Sequence, residues 1–182
     1  MELLKVSQTD WLGEATKYIK GGLHRLAYVV VERPVAIVHR KTQVDEDECA
    51  ALGYEIVESY NNAGTIVSNA GDVLVGHFCE PYNGWYDRFI EQFIDWLKSK
   101  GLNAEFVDND ILVDGYKVCG MCVTRYGRID YTGGIISVNT NIDHIKAICK
   151  KPMVKVPKGL SEWGITSEEV ERWFVQFCEQ DK

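Results

Sequence analysis

The sequence contains few of the features that mark membrane, secreted or nucleic-acid-binding proteins. No apolar run approaches the length of a membrane span, and the N-terminus, Met-Glu-Leu-Leu-Lys, has no signal-peptide pattern. The 20 basic residues are outnumbered by 27 acidic ones, giving a net charge of −7, which argues against a broad basic face for nucleic acid. We therefore expect a cytoplasmic protein with neither a membrane nor a nucleic acid as its partner.

Residues that hold structural metals are also scarce. The four histidines show no metal-ligand spacing, and Cys119 and Cys122 form the chain's one Cys-x-x-Cys pair. Residues three apart on a strand point to opposite faces, so this pair is interpreted as two small core thiols. The six cysteines are spread along the chain and are expected to be reduced, because nothing marks the chain for secretion. No metal site built from protein side chains is predicted.

The 182 residues are enough for one domain with a sizeable core, and their periodicity mixes helices with strands, without repeats or linkers. Thr9 or Asp10 is expected to cap a first helix that ends at Gly21. Further helices are predicted over 45–52, 85–100, 142–149 and 166–180, and strands over 26–31, 35–39, 54–59, 65–68, 73–78, 109–120 and 129–139. Residues 32–34 are expected to close a hairpin. The pattern predicts an α+β domain with helices packed on one mixed or antiparallel sheet.

The segment from Asn109 to Gly120 is the most informative part of the chain. Asp114-Gly115 is the pair that a two-residue type I′ turn favours, and it joins two apolar β-runs. Lys117 interrupts the second run, where an ammonium needs a partner, and a glycine in a strand often marks close approach of a ligand. The pattern predicts a cation over a floor without side chains, suited to a phosphate or an activated carboxylate. The alternative is an edge lysine whose ammonium lies in water.

These residues resemble a motif of the biotin/lipoate protein ligase catalytic-domain superfamily, in its lipoate-protein ligase A branch. Family members carry an Asn-Asp pair, two short strands, and a lysine followed by a small residue and a glycine, which here are Asn109-Asp110 and residues 117–120. Residues 131–149 are similar to the family's later strand and helix, and 155–159 (Lys-Val-Pro-Lys-Gly) to a lysine- and glycine-containing loop. Residues 25–40 resemble the paired strands that precede the substrate loop.

The resemblance implies a fold like that of class II aminoacyl-tRNA synthetases and biotin ligases, with a mixed, largely antiparallel sheet and flanking helices. Residues 1–182 would form a single catalytic domain. The C-terminal helix, 166–180, would brace the sheet or be the remnant of an accessory domain. This helix begins with a capping box, Thr166 to Glu169. Its apolar stripe is interpreted as core and consists of Val170, Trp173, Phe174, Phe177 and Cys178.

The resemblance also implies a reaction. An ATP-dependent ligase would convert lipoate or a related small carboxylic acid to an acyl-adenylate and pass the acyl group to a lysine of a lipoyl-type carrier domain. Lys117 would be the catalytic residue, contacting the carboxylate and the α-phosphate. Asp110 would be the candidate ligand for Mg²⁺ that accompanies ATP. The nucleotide-binding residues that the resemblance implies are Asn109, Asp110, Gly120, Gly133 and Gly134.

The acyl-substrate loop that the resemblance implies is altered in this chain. It consists of Asn62, Ala63, Gly64 and Thr65, of which the first three stand where family members carry three glycines and only Gly64 and Thr65 are kept. Glu58-Ser59 stands in place of an arginine pair, and Ser68-Asn69 in place of His-Asp. These differences predict changed acid recognition. The pocket residues are expected to include Tyr28, Val30, His77 and Phe78.

Two alternatives stay open. The first is a catalytically degenerate protein of the ligase fold that binds a nucleotide or a carrier partner, which the changes at Glu58, Ser59 and Ala63 favour. The second is an acyltransferase that works through a cysteine thioester without ATP. Cys119 is expected to share a strand face with Lys117, whose ammonium could lower the pKa of the thiol.

Overall fold

The fold is taken from a computed structural model that describes residues 2–11, 25–58, 64–79, 84–126 and 129–180. The strands are β1 (Glu2–Lys5), β2 (Arg25–Val30), β3 (Val35–Val38), β4 (Glu55–Glu58), β5 (Ile66–Ser68), β6 (Val73–Cys79), β7 (Ala104–Val107), β8 (Asp110–Val113), β9 (Tyr116–Tyr126) and β10 (Ile129–Ile136). The helices are α1 (Glu46–Ala51), α2 (Trp85–Ser99), α3 (Ile142–Ile148) and α4 (Ser167–Glu179), with 3-10 turns at Lys41–Gln43 and Leu160–Trp163. Within these ranges, no helix has the length and apolar character needed to span a membrane.

The described strands form two sheets, not the one that the sequence predicts. Seven strands make a large sheet in the order β1-β2-β6-β10-β9-β8-β7, and three make a small sheet in the order β4-β3-β5. In the large sheet β1 and β2 are parallel and the other neighbours are antiparallel. The mixed, largely antiparallel α+β architecture is therefore confirmed. The hairpin expected at 32–34 is wrong, because this segment carries the chain from β2 in one sheet to β3 in the other.

One face of the large sheet, which we call the helix face, is covered by α2 and α4. The helices contribute six buried aromatic rings to this core, which are Trp85, Phe89, Phe93, Trp173, Phe174 and Phe177. Phe89 lies at their centre, with ring centroids of Trp85, Trp173 and Phe177 between 5.1 and 5.8 Å away. The apolar stripe predicted for α4 is confirmed as buried, and so is the capping box between Thr166 and Glu169.

The opposite face of the large sheet, which we call the site face, is partly covered by the small sheet. Val29, Leu74 and Ile135 of the large sheet form one cluster with residues of the small sheet, Val35, Ile37, Val57 and Ile66. The outer side of the small sheet packs on α1 and α3 through a second cluster. The rest of the site face is the surface on which a ligand could lie.

Local capping signals set the helix starts. Asp45 caps α1 and Asn141 caps α3, each accepting hydrogen bonds from two backbone N–H groups of its helix. In the first predicted helix the cap is Ser7 instead of Thr9 or Asp10, since its hydroxyl accepts a 3.1 Å hydrogen bond from the Asp10 N–H. Helical backbone covers residues 8–11. The remainder of that predicted helix lies outside the described residues.

Phe89→Ala is expected to destabilise the protein strongly. It would open a cavity among the aromatic rings, and a buried Phe→Ala change costs about 3–5 kcal/mol of unfolding free energy. Urea unfolding followed by tryptophan fluorescence measures this change. Phe106→Ala is the matched control, because that ring is 41% exposed and its loss is expected to cost about 1 kcal/mol or less. Equal losses from both variants would contradict the aromatic core.

Candidate functional site

A β-bulge in β9 builds the site. Asp114 and Gly115 close the β8–β9 turn, both with positive φ (50° and 81°), which confirms the predicted type I′ turn. Leu112 pairs with Lys117, but its neighbour Ile111 pairs with Cys119. Val118 is therefore an extra residue in β9. The bulge places Lys117 and Gly120 on the same face of the sheet although they are three residues apart.

The Lys117 side chain lies over Gly120. A Cβ atom on Gly120 would lie 2.8 Å from Lys117 Cε and 2.9 Å from Nζ, so any larger residue would displace the lysine. Nζ pairs with Asp110 Oδ1 at 2.7 Å, and the two side chains are 33% and 15% exposed. The predicted cation over a floor without side chains is confirmed. The alternative of an edge lysine with its ammonium only in water is wrong.

Lys155 also belongs to this cluster, a position that the sequence did not predict. Its Nζ lies 3.1 Å from Asp110 Oδ2 and 3.8 Å from Asp108 Oδ2, and it donates a hydrogen bond to the Val107 carbonyl. The Asp110 carboxylate is thus held between two ammonium groups. The Lys-Val-Pro-Lys-Gly motif was the available signal, but it gave no reason to place Lys155 beside Asp110.

The loop that carries Lys155 is fixed to the backbone of Lys117. The Lys117 N–H donates to the Val156 carbonyl at 2.9 Å, and the Lys158 N–H donates to the Lys117 carbonyl at 3.0 Å. On the outer side of this loop, Lys158 pairs with Glu162 and lies over the ring of Trp163. The two cations beside Asp110 therefore share one rigid backbone arrangement.

Asn109 lies at the tip of the β7–β8 turn with φ of 66°. Its side-chain oxygen accepts a 2.9 Å hydrogen bond from the Tyr86 hydroxyl, and its carbonyl accepts one of 2.9 Å from the Met121 N–H. Burial raises the pKa of Tyr86, which keeps its proton available for that bond. Asn109 thus holds the turn that presents Asp110.

The two glycines of β10 face opposite sides of the sheet. Gly133 pairs with Cys122 on one side and Gly76 on the other, and Gly76 pairs with Ala27. These residues form a row of small side chains across four strands of the site face. A Cβ on Gly134 would instead lie 2.5 Å from the Gly120 carbonyl oxygen and against Met121, a residue of the helix-face core. The expected contact of Gly134 with an adenylate is therefore wrong, because this glycine serves packing.

Two aromatic side chains cover this row of small residues. A Cβ on Gly133 would collide with the Tyr131 hydroxyl, and a Cβ on Gly76 would lie 2.8 Å from the Trp11 ring and 3.0 Å from the Tyr131 ring. The glycines therefore make room for aromatic rings in this structure.

Half of the expected acyl-substrate loop can be placed. Asn62 and Ala63 lie outside the described residues. Gly64, with φ of 91°, and Thr65 lead into β5, whose Ile66 packs against the cluster that contains Ile135. Since Ile135 pairs with Gly120, β5 belongs to the sheet that covers the site face next to Lys117.

The substituted positions around that loop serve the small sheet. Glu58 is exposed at the end of β4 and accepts a hydrogen bond from the Lys41 N–H, whereas Ser59 lies outside the described residues. Asn69 is buried and donates its N–H to Asp72 Oδ2 at 2.7 Å. Burial raises the pKa of Asp72, and its hydrogen bonds to backbone N–H groups and Ser68 oppose that shift.

Three of the residues expected to line the acyl pocket point elsewhere. Tyr28 and Val30 belong to the helix-face core, where the Tyr28 ring packs on Phe174 at 5.6 Å. His77 is buried 5.3 Å from the Trp85 ring. The side chain of Phe78 lies outside the described part. Alternation along the strands explains the error, because the sequence does not say which face meets the helices.

Cys119 is on the opposite face from Lys117, so the expectation that the two share a strand face, on which the thioester alternative rested, is wrong. The bulge turns Cys119 into the helix-face core, where it is fully buried. Burial raises the pKa of its thiol, and the smaller influence of Lys117 does not reverse this. Cys122 lies on the site face, which confirms that the Cys-x-x-Cys pair is divided between faces. The cysteines whose side chains are described, at 49, 119, 122, 149 and 178, carry thiols and no disulfide.

The described residues hold no group of three or more metal-ligating side chains. Asp110, the candidate Mg²⁺ ligand, has an ammonium on each of its two oxygens. This carboxylate therefore acts as the counter-ion of two lysines, and the donor set does not fit a metal site of the protein's own.

Residues 10–170 match the family model of the lipoyl protein ligase A/B catalytic domain. A Thermoplasma acidophilum bipartite lipoate protein ligase, studied with its E2 lipoyl domain, is 15% identical over 98% of this chain and 81% of its own, with a TM-score of 0.80. A lipoate-protein ligase A bound with ATP is 16% identical over 98% and 83%, with a TM-score of 0.80.

A biotin protein ligase from Aquifex aeolicus, in complex with biotin, is more distant. It is 9% identical over 99% of this chain and 69% of its own, with a TM-score of 0.56. No curated protein sequence matches the chain. At these identities the solved structures show a shared fold.

Cys119 is expected to resist alkylation in the folded protein. Its raised pKa keeps it a thiol at pH 8, and the thiolate is the reactive form. Iodoacetamide treatment followed by peptide mass spectrometry should modify Cys122 well before Cys119, and both should react in urea. Rapid labelling of Cys119 in the native protein, or capture of an acyl thioester on it, would restore the cysteine mechanism.

Proposed function

We propose, because the chain belongs to the lipoyl protein ligase A/B catalytic-domain family, that it joins lipoate or a related small carboxylic acid to a lysine of a carrier protein, using ATP. The observation that carries this proposal is the Lys117 ammonium over the side-chain-free position at Gly120, on the site face of the large sheet. A fixed cation beside exposed backbone suits a group that changes its negative charge during reaction.

The reaction would have two steps. An oxygen of the substrate carboxylate attacks the α-phosphorus of ATP, pyrophosphate leaves, and an acyl-adenylate forms. The amine of a carrier lysine then attacks the acyl carbonyl, loses a proton, and releases AMP. Lys117 would stabilise the negative charge on the carboxylate and α-phosphate oxygens in the first step and on the carbonyl oxygen in the second.

The residues around Lys117 would hold the nucleotide. Gly120 leaves space for the Lys117 side chain against the sheet, where its ammonium would meet the adenylate, and Asn109 fixes the turn that carries Asp110. Mg²⁺ would enter as the complex with ATP, taking most of its ligands from phosphates and water. The fold shared with an ATP-bound lipoate-protein ligase supports this part of the proposal.

The acyl chain would lie on the part of the site face that holds the row of small residues at Cys122, Gly133, Gly76 and Ala27, in contact with the two rings that fill this row. This row begins on β9, two residues from Gly120 on the same face, and crosses the sheet. Its cover consists of Tyr131 and Trp11. The acceptor would be a lipoyl-type carrier domain, as the archaeal ligase studied with its E2 lipoyl domain suggests.

Pyrophosphate exchange into ATP is expected with at least one acid from a panel of lipoate, octanoate, biotin and short fatty acids. Lys117→Ala should lower that exchange by about 100-fold to 1,000-fold, because it removes a preorganised charge at the reacting atoms. Lys98→Ala, at an exposed position on α2, should leave the rate unchanged. Absence of exchange with every acid, in a folded wild-type protein that binds ATP or a carrier domain, would favour the degenerate ligase.

Tyr131→Ala is expected to change acid selectivity. Removing the ring would clear the space over Gly133 and Gly76, which is expected to take about two more methylenes of octanoate. At about 0.8 kcal/mol for each buried methylene, the ratio of kcat/KM for octanoate to that for butyrate should rise about 15-fold. Exchange kinetics with both acids measure the ratio. Tyr116→Ala, whose ring is exposed on the β8–β9 hairpin, is the matched control. An unchanged ratio would place the acyl chain elsewhere.

A further inference from the structure

We propose that Lys155 is a positioning residue for Lys117. It holds the Asp110 carboxylate by Oδ2, so that the Lys117 ammonium can leave Oδ1 for the negative charge of a bound acyl-phosphate group. This inference rests on the proposed function for the destination of Lys117, but the coupling between the two lysines can be measured without it.

The contacts of the two ammonium groups differ. Lys155 Nζ has three oxygen neighbours on the β7–β8 hairpin, from Val107, Asp108 and Asp110, and is 19% exposed. Lys117 Nζ pairs with Asp110 alone among its described ion-pair partners and lies over the open position at Gly120. Lys155 is therefore committed to the hairpin, whereas Lys117 is the lysine that can reach a ligand.

The charge balance depends on both lysines. Asp110 is largely buried, and removing one partner from a buried ion pair leaves an uncompensated charge that destabilises the state. With Lys155 on Oδ2, departure of Lys117 leaves a neutral Lys155–Asp110 pair. Without Lys155, it would leave a bare carboxylate beside the incoming phosphate, which it would repel.

The backbone keeps this arrangement in register. Val156 and Lys158 bond the N–H and the carbonyl of Lys117, so the position of Lys155 is fixed relative to the residue that it assists. A change in the Lys155 side chain can therefore alter the charge without moving the loop. Lys155→Met keeps the length and apolar stem of the side chain, and Lys155→Arg keeps the charge.

The experiment measures the reactivity of Lys117 in the protein without ligand. Acetylation at pH 7.5 is followed by peptide mass spectrometry, with exposed Lys98 as the internal reference. In Lys155→Met the Asp110 carboxylate attracts Lys117 alone and holds it more tightly in the ion pair, so Lys117 should react at least about threefold more slowly than in the wild type. Lys155→Arg should restore the wild-type rate. Lys151→Met, an exposed lysine earlier in the same loop, should have no effect.

The second measurement is pyrophosphate exchange. Lys155→Met should lower kcat about tenfold while KM for ATP changes less than twofold, because Lys117 is needed most where negative charge develops. Lys155→Arg should recover kcat. If the wild type shows no exchange, the proposed function fails, and the acetylation rates still decide the coupling. Equal Lys117 acetylation in the wild type and Lys155→Met would overturn the inference.

Discussion

The extra residue at Val118 is the constraint on which the candidate site depends. A regular strand would put Lys117 and Gly120 on opposite faces, and the lysine would have no open floor beside it. The register shift opposite Ile111 and Leu112 turns both Val118 and Cys119 into the core and brings the lysine over the glycine. Burial of two apolar side chains on the helix face therefore fixes a cation on the site face.

The shielded part of the site, Lys117, Lys155 and Asp110, carries one excess positive charge in a chain whose net charge is −7, because Asp108, the other partner of Lys155, is 87% exposed. Two ammonium groups share one carboxylate, and all three side chains are partly shielded from water. Electrostatic interactions are stronger in such an environment than on the open surface, so the excess positive charge favours an anionic ligand at this place. The net charge of the chain and the local charge of the site thus bear on different partners. The first argues against a nucleic acid as partner, and the second favours a phosphate or carboxylate as ligand.

The sequence was sufficient for features that arise from local patterns. The Thr166–Glu169 capping box, the stripe of α4 and the Asp114-Gly115 turn depend on neighbours within a few residues, and all are found in the structure. The wrong predictions depend on distant partners. Residues 32–34 carry turn-forming chemistry, but only the packing of Leu74 and Ile135 on the small sheet decides that β2 and β3 separate.

Prediction of the site from the sequence has the same limit, because its contacts also depend on distant partners. Gly133 and Gly134 are chemically identical, and their opposite roles follow from the face that the helices cover. Regular alternation along the strand predicted Cys119 on the same face as Lys117. This prediction failed because a β-bulge arises from the register with the partner strand and leaves no periodic signal in the sequence of the bulged strand. Lys155 follows β9 in the chain by two further elements, β10 and α3, so its contact with Asp110 depends on the placement of both. A familiar loop motif could indicate that this segment belongs to the site, but not what it contacts.

The two halves of the site differ in how they respond to sequence change. The position of Lys117 is fixed by backbone register, the β-bulge and hydrogen bonds to residues 156 and 158, which many side chains could support. The surface proposed for the acyl chain is formed by particular side chains, Tyr131 and Trp11, whose replacement would alter its shape directly. Under the proposed function, a chain with this fold can therefore keep Lys117 in place while its acid substrate changes, and the acid is the property that the family resemblance constrains least.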